Sequence, residues 1–297
     1  MRILRSGEQY EIVRGNQRAV VTGVGATLRR YAVGDREMVT TFPEDALPGA
    51  SQGQQLLPWP NRIRDGRYEF GGETHQLPIN ELDRHNALHG LASWVTWELA
   101  DLYPTSVMLR TVLHPRPGWP GTLACAITHT LTEDGLLVEV AATNAGDTPC
   151  PFGYAAHPYI SVPGGLDRAE VTMPFETQVL VDERLLPVAT APVAGSDVDI
   201  TGRLLGDTVL DTPYTDPARD ADGRWRVRVR DVEAAATLWA DEHFDWLQIF
   251  TSFDRRALAV EPATCGPDAF NEGPTHGGLI VLQPGETFRG EWGITPD

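Results

Sequence analysis

Glycine and proline recur along the whole chain, and their distribution limits what it can fold into. The 297 residues include 29 glycines and 23 prolines, spread from one end to the other. Proline removes a backbone hydrogen-bond donor and glycine is conformationally free, so both residues interrupt helices. The sequence therefore disfavours long helices and favours short strands joined by turns.

Between these breaks, apolar and polar residues alternate as they do in strands with one buried face. The segment LACAITHTLTEDGLLVEVAATN, residues 123–144, predicts a hairpin whose turn falls at residues 133–135, where Asp-Gly suits a tight turn. Farther along, Trp225, Val227 and Val229 alternate with arginines, which predicts a strand with one apolar face.

Many short strands separated by turn residues, without strand–helix alternation, predict an all-β fold built as a large antiparallel sandwich. Only LDRHNALHG, residues 82–90, and DPARDADG, residues 216–223, are expected to form a helical turn or two. Residues 187–222, rich in proline, glycine and aspartate, are predicted to be long surface loops. No linker or internal repeat divides the chain, so we expect a single domain over residues 1–297.

Acidic residues outnumber basic ones by 41 to 24, and the formal net charge is −17. This charge disfavours nucleic acid and anionic membranes as partners and fits a neutral small molecule best. The three cysteines are widely spaced, so neither a disulfide framework nor a zinc knuckle is predicted. The first residues carry charge and lack an apolar segment of signal-peptide length, and no later stretch approaches the roughly 20 apolar residues of a membrane span. A cytoplasmic location is therefore expected.

The sequence lacks complete motifs for common cofactors and metals, because the residues present do not have the required spacing. VVTGVGATLRR carries Gly23 and Gly25, but Leu28 stands where a dinucleotide-binding fingerprint has its third glycine, so a β-turn or bulge is predicted there. His85 and His89 are four residues apart but lack the His-Glu-x-x-His pattern of a metal site. Five further histidines are isolated and are interpreted as surface or structural residues: His75, His114, His129, His243 and His276. We expect no metal and no cofactor.

Four stretches contain polar residues that folding alone does not explain. Asn61 and Arg62 lie in PWPNRIRDGRYEF, His89 in HNALHG, His157 in FGYAAHPYI and Glu261 in ALAVEPATCGPDAFN. Each has a simpler interpretation as a satisfied polar residue at a proline-ended strand, and His157 could also be a core residue, a metal ligand or a proton donor. Together they supply one base, two imidazoles and one guanidinium, a set that suits metal-free proton transfer.

These stretches, in this order, resemble the aldose 1-epimerases, the galactose mutarotase-like family. The resemblance runs from about residue 15 to the C-terminus and includes PNRIRDGRYEFGGETHQLPIN, NALHG, HPYI and VEPATCGPDAFN. Two shorter segments extend it: LDTPYTD, which contains Asp211, and LQIFTS, which contains Gln248.

The resemblance implies a fold, an activity and a set of roles. The fold would be a β-supersandwich with a sugar cleft across one sheet, and the activity would be cofactor-independent interconversion of the anomers of an aldose such as galactose or another hexose. Glu261 would take the proton of the anomeric hydroxyl, His157 would protonate the ring oxygen, and His89 would hydrogen-bond near that oxygen. The sugar hydroxyls would be held by four residues: Asn61, Arg62, Asp211 and Gln248. The protein would act as a monomer or homodimer.

The environment of Glu261 adds an expectation about its pKa. A carboxylate at the end of the apolar strand ALAV is partly desolvated, which raises its pKa modestly, and a protonated imidazole opposite would lower it again. With acid and base at opposite edges of the anomeric centre, we expect Glu261 to be a carboxylate near neutral pH. Activity should then fall as the pH drops through its titration.

Three other functions remain open. A sugar-phosphate (hexose-6-phosphate) 1-epimerase of the same fold would need extra cations in the cleft, for which Arg64, Arg67 and Arg84 are candidates. A non-catalytic carbohydrate-binding protein can share such a sandwich, although the presence of Glu261, His89 and His157 weighs against it. A lyase on a related scaffold lacks any dedicated motif in this sequence.

Overall fold

Short β-strands make up nearly all the regular structure. The computed structural model describes residues 3–232 and 234–297. The strands, in chain order, are β1 Gln9–Arg14, β2 Gln17–Thr22, β3 Leu28–Val33, β4 Arg36–Glu37, β5 Gln55–Leu56, β6 Arg62–Arg64, β7 Arg67–Phe70, β8 Glu73–Gln76, β9 Asn86–Leu88, β10 Glu98–Tyr103, β11 Ser106–Leu113, β12 Leu123–Leu131, β13 Leu136–Asn144, β14 Cys150–Phe152, β15 Ala155–Ala156, β16 Tyr159–Ser161, β17 Glu170–Thr172, β18 Phe175–Val181, β19 Pro187–Pro192, β20 Asp211–Pro217, β21 Trp225–Arg230, β22 Ala235–Ala240, β23 Trp246–Thr251, β24 Ala257–Ala263, β25 Ile280–Leu282 and β26 Thr287–Pro296.

Two large antiparallel sheets form the body of the protein. The back sheet has the strand order β10-β11-β12-β13-β26-β22-β21-β17. The front sheet has the order β19-β18-β20-β23-β24-β15-β5, and β16 also pairs with β24. One apolar core contains residues of both sheets, among them Ile127 and Val138 of the back sheet and Ile249 and Val260 of the front sheet. This confirms the predicted all-β sandwich.

Smaller sheets extend this body. Strands β1 to β4 form a four-stranded sheet near the N-terminus. Three two-stranded sheets pair β14 with β25, β6 with β9, and β7 with β8. The β6–β9 pair brings Arg62 opposite Leu88, so two segments that the sequence singled out come together.

The two predicted strand patterns are present. Strands β12 and β13 pair from Leu123 opposite Asn144 to Leu131 opposite Leu136, which confirms the hairpin and its turn. In β21, Trp225, Val227 and Val229 are buried between more exposed arginines. The turn at residues 23–27 joins β2 to β3, which are paired with a bulge at residues 20–21.

The prediction of loops over residues 187–222 was wrong in part, because this stretch contains β19 and β20. Strand β19 lies at the edge of the front sheet, where proline costs no shared hydrogen bond. Strand β20 lies inside the sheet and still carries Pro213, which is opposite Gln248. Because proline is typical of loops, this strand was not predicted, although it begins with a candidate site residue, Asp211.

Helical structure among the described residues is limited to three short 3-10 turns, at Gly49–Ser51, Leu166–Arg168 and His276–Gly278. Residues 82–85 form a turn that leads into β9, and residues 218–223 form a coil and turn, so neither segment expected to be helical is a helix. No helix found in residues 3–232 and 234–297 is long and apolar enough to cross a membrane.

Candidate active site

A cleft of about 640 Å³ opens over the front sheet, on the side away from the shared core. In β24, Leu258 and Val260 face the core, so Glu261 falls on the opposite face. Gln248 of β23 pairs directly with Glu261 and shares that face. All seven candidate residues line the cleft: Asn61, Arg62, His89, His157, Asp211, Gln248 and Glu261.

The floor of the cleft holds an imidazole and a carboxyl group in contact. His157 Nε2 lies 3.2 Å from Glu261 Oε1, and the two residues are 6% and 3% exposed. Tyr159 stacks on the His157 ring with centroids 5.1 Å apart and an angle of 15° between the planes. The backbone of His157 bonds to the segment before β5: its N–H donates to Gln54 O, and its carbonyl accepts from Gly53 N–H. These contacts fix the position of the ring.

Burial changes the pKa of both groups toward the uncharged form. Burial raises the pKa of Glu261 well above its ordinary value; the nearby Asp211 carboxyl raises it further, and Arg62 opposes the rise. Burial lowers the pKa of His157 to about 4. The rise for Glu261 is larger than the modest one expected from the sequence, and the opposing charge belongs to Arg62. The pair therefore shares one proton over a wide range of pH.

His89 stands beside this pair, with its ring centroid 5.6 Å from that of His157. Its Nδ1 accepts a hydrogen bond from the backbone N–H of Asn61 at 3.2 Å, and the backbone N–H of His89 donates to the backbone carbonyl of Asn61 at 2.9 Å. Burial, followed by the charges of His157 and Arg62, holds the pKa of His89 well below 6.5. The neutral ring then carries its proton on Nε2, because Nδ1 is an acceptor.

Asn61 and His89 both have left-handed backbone conformations, with φ of 54° and 63°. Such angles are less favourable for residues other than glycine, and they persist where the surrounding contacts impose them. Here the two residues bond to each other through backbone and ring. These bonds hold the His89 ring at the wall of the cleft.

A chain of hydrogen bonds crosses the cleft from Glu81 to Asp211. Arg62 donates to both carboxylate oxygens of Glu81, with the shortest distance 2.9 Å, and to Asn61 Oδ1 at 3.1 Å. Asn61 Nδ2 donates to Gln248 Oε1 at 3.3 Å, and Gln248 Nε2 donates to Asp211 Oδ1 at 2.6 Å. The chain presents amide, guanidinium and carboxyl groups to whatever occupies the cleft.

Several site residues escaped the sequence analysis. Glu81 is buried, pairs with Arg62 and accepts from Asn86, but it lies in a polar run that no motif marks. Tyr159 and Phe250 also line the cleft. Tyr159 follows His157 in the quoted HPYI and could have been proposed, because residues two apart share one face of a strand.

Solved structures share this architecture. A galactose mutarotase-like protein from Clostridium acetobutylicum matches with a TM-score of 0.85 and 17% identity, over 97% of this chain and 94% of that chain. An aldose epimerase homologue from C. elegans matches with a TM-score of 0.83 and 20% identity, over 98% of each chain. The protein therefore has the galactose mutarotase-like β-sandwich fold.

Sequence similarity extends the assignment from fold to family. The Aldose 1-epimerase family model matches residues 8–295. The uncharacterized protein YihR of Escherichia coli (strain K12) is 31% identical over 289 residues, which are 96% of this chain and 92% of that protein. Galactose mutarotase of Homo sapiens is 28% identical over 211 residues, which are 65% of this chain and 60% of that protein. The chain belongs to the aldose 1-epimerase family.

Proposed function

We propose that this protein is an aldose 1-epimerase, an isomerase that interconverts the α and β anomers of a free aldose. The observation that carries the proposal is the buried contact between His157 and Glu261 at the floor of the cleft, 3.2 Å from nitrogen to oxygen. Anomer interconversion needs one proton acceptor and one proton donor and no net proton change. A pair that holds one proton meets this requirement.

The proposed reaction moves protons without consuming any. Glu261 takes the proton of the anomeric hydroxyl while His157 gives the proton on Nε2 to the ring oxygen. The bond between the anomeric carbon and the ring oxygen breaks, and the anomeric oxygen becomes the aldehyde oxygen. After rotation about the bond next to the aldehyde, both transfers reverse and the ring closes to the other anomer.

The side-by-side position of the pair suits this reaction. The anomeric oxygen and the ring oxygen are bonded to the same carbon, so adjacent groups reach both from one side. This arrangement differs from the one expected from the sequence, in which acid and base lie at opposite edges of the anomeric centre. Before a sugar binds, burial favours the uncharged forms of Glu261 and His157. Sugar hydroxyls and Arg62 stabilise the carboxylate after binding, so the shared proton moves to His157.

The remaining residues hold the sugar. His89 donates through Nε2–H to the ring oxygen as charge develops there. Arg62, Asn61, Gln248 and Asp211 bind the hydroxyls, and their mutual hydrogen bonds orient each group before the sugar arrives. Relatives named galactose mutarotase support a hexose such as galactose as the substrate.

Two alternatives are less well supported. Of the three arginines suggested for a sugar phosphate, only Arg84 lines the cleft, and it contacts the carboxylates of Glu81 and Asp83. Arg64 pairs with Asp268. A non-catalytic sugar-binding protein would gain little from a carboxyl group and an imidazole desolvated against each other, since both lose hydration.

Anomer interconversion tests the proposal directly. Purified protein added to a pure anomer of galactose, glucose or another aldose should accelerate the change in optical rotation, or the exchange between anomeric proton signals in NMR. Hexose 6-phosphates should react more slowly than the free sugars. Protein that accelerates none of these reactions would contradict the proposal, and a preference for the phosphates would favour the sugar-phosphate alternative.

Metal removal supplies a control. One trio among the described residues could hold an ion, Asp241, Glu242 and His243, and none of the three lines the cleft. We expect exhaustive chelation and dialysis to leave the rate unchanged. A loss that a divalent metal restores would contradict the proposed mechanism.

Three further statements are part of the proposal. We propose that residues 1–297 act as a single aldose 1-epimerase-like domain, which the match over residues 8–295 supports. We also propose that the protein acts in the cytoplasm as a monomer or homodimer. Size-exclusion chromatography with light scattering measures the oligomeric state.

A further inference from the structure

The carboxylate of Glu81 pairs with Arg62, although Glu81 itself does not line the cleft. We propose that Glu81 is a positioning residue: its carboxylate holds the Arg62 guanidinium in the orientation that leaves two N–H groups for the hydroxyls of the sugar. Glu81 acts through Arg62 and does not touch the substrate. The inference rests on the proposed epimerase function and adds one residue to the machinery that binds the sugar.

A guanidinium group has five N–H donors, and the contacts of Arg62 use three of them. Its Nε–H donates to Glu81 Oε2 at 3.0 Å, and one N–H of Nη2 donates to Glu81 Oε1 at 2.9 Å. One N–H of Nη1 donates to Asn61 Oδ1 at 3.1 Å. In residues 3–232 and 234–297, no acceptor binds the second N–H of Nη1 or of Nη2. Since Arg62 lines the cleft, these two donors are available to a sugar.

The pair with Glu81 fixes the plane of the guanidinium. Two hydrogen bonds to one carboxylate restrict the rotation of the group, which a single contact does not. Glu81 is 8% exposed and Arg62 is 9% exposed. Because both charges lose their hydration, a buried pair of this kind contributes little net stability. What it supplies to the cleft is the orientation of Arg62.

Glu81 is itself held by Asn86, which is fully buried. The side-chain amide of Asn86 donates to Glu81 Oε2 at 2.9 Å, and the two residues exchange two backbone hydrogen bonds, both of 3.1 Å, across the turn at residues 82–85. Burial raises the pKa of Glu81, but the hydrogen bonds from Arg62 and Asn86 and the nearby positive charges outweigh it and bring the pKa below its ordinary value. Glu81 is therefore an ionised acceptor in a fixed position.

Arg184, in the turn between β18 and β19, secures this segment from the other side. Its guanidinium donates to the backbone carbonyls of Arg84 and His85, at 2.9 and 3.0 Å, and to Asn86 Oδ1 at 3.2 Å. Strands β18 and β19 lie at the edge of the front sheet. The segment that carries Glu81 is therefore joined to the same sheet that carries the catalytic floor.

The first test replaces the carboxylate by an amide. Glu81→Gln keeps the shape of the side chain but has one acceptor oxygen, and its amide N–H groups cannot accept from Arg62. The kcat/KM for galactose should fall at least about tenfold, the scale of one lost hydrogen bond to a charged group. The change should be mainly in KM, because the sugar hydroxyls are bound before the reaction as well as during it. A partly unfolded preparation would instead lower kcat and leave KM unchanged.

The matched control is Asp83→Asn, the same change from carboxylate to amide two residues away. The Asp83 side chain is 75% exposed and pairs with Arg84, so kcat and KM should be unchanged. Glu81→Asp keeps the charge of the buried pair, so it should fold and raise KM less than Glu81→Gln does. Thermal melting checks the folding of each variant. A rise in KM for Asp83→Asn as large as that for Glu81→Gln would contradict a role specific to Glu81.

Dependence on Arg62 distinguishes positioning from a structural role. Calorimetric titration with galactose should show at least about tenfold weaker binding in Glu81→Gln, and the same change made in Arg62→Ala should weaken binding no further. Across a panel of deoxygalactoses, the loss caused by Glu81→Gln should be smallest for the sugar that lacks the hydroxyl bound by Arg62. An equal loss for every sugar, or losses that add in the double variant, would overturn the proposal.

The binding measurement also separates this inference from the proposed function. If no aldose is turned over but galactose binding depends on Glu81 through Arg62, the proposed function fails and the positioning role stands. If aldoses react and Glu81→Gln leaves both KM and the affinity for galactose unchanged, the positioning role is overturned and the proposed function stands. Unmodified protein that neither binds galactose nor reacts with any aldose would overturn both.

Discussion

His129 in the back sheet and His157 in the front sheet are both buried, and burial lowers the pKa of both, to about 3 and about 4. Their surroundings differ. His129 lies in β12 between Val107 and Val138 of the neighbouring strands, and neither ring nitrogen has a hydrogen-bond partner in the part of the chain described. His157 contacts Glu261 and faces a cleft.

The comparison of these two histidines shows that burial of a titratable residue does not by itself indicate a function. Loss of hydration is enough to lower the pKa of an imidazole, so an altered pKa alone does not mark a site. For His129 in the back sheet, no contact among the described residues compensates for the lost hydration, so burial of the ring only lowers the free energy of unfolding. In the front sheet it places a proton carrier against a carboxyl group. The following predictions test this contrast.

The largest effect should come from Glu261→Gln. Glutamine keeps the shape and most hydrogen bonds of the side chain but cannot take a proton, so turnover should fall by about four orders of magnitude, the upper end for a lost acid–base group. Polarimetry measures the rate, while thermal melting and sugar titration check that folding and binding are kept. If this variant works at close to the original rate, the base lies elsewhere.

The next effect should come from His157→Asn, which should lower turnover by about two or more orders of magnitude. Sugar affinity should be retained, because Arg62 and the other hydroxyl-binding groups are unchanged. Rate and binding constants measured on the same preparation separate these outcomes. Nearly normal turnover with a collapse in thermal stability would make His157 a core residue comparable to His129.

The pH–rate profile should show the proton shared by the pair. Below the His157 pKa of about 4, both groups are protonated and neither can accept, so kcat/KM should fall about tenfold per pH unit. Above the raised pKa of Glu261, the pair has no proton to donate and the rate falls again. The acid limb then belongs to His157, and not to the Glu261 carboxylate as expected from the sequence. An acid limb near pH 6.5, in protein shown to be folded by circular dichroism, would contradict the shared proton.

The smallest effect on activity, none at all, is expected for His129→Leu. The change should appear in stability instead. The unfolded chain binds a proton at pH 6.5, whereas folded His129 does so only near 3. Through this residue the free energy of unfolding is therefore highest above pH 6.5 and falls toward pH 3, by about 1.4 kcal/mol per pH unit.

Urea unfolding at several pH values checks this prediction. The free energy of unfolding should fall less steeply with acid in His129→Leu than in the original protein, since the leucine does not titrate. At pH 7 the variant should be at least as stable, because two unpaired nitrogens have been removed from the core. Equal acid dependence in both proteins, or a loss of turnover, would remove the contrast between the two histidines.

Local patterns in the sequence were enough to predict the all-β class, the hairpin at residues 123–144 and the apolar face of β21. They also singled out five of the residues that line the cleft, and the family resemblance added Asp211 and Gln248. Such features depend on neighbouring residues, because the alternation of a strand and the chemistry of a turn are short-range properties. Strand β20 escaped, since its prolines are typical of loops and only pairing with β18 and β23 makes it a strand.

The rest depended on tertiary packing. Glu81 is identified as the partner of Arg62 only when the turn at residues 82–85 and the β6–β9 pair bring the two together. The side-by-side contact of His157 and Glu261, and the large rise in the Glu261 pKa, require strands distant in sequence to exclude water from the same point. Desolvation and charge act through space, so the pKa values follow from packing that no local pattern records.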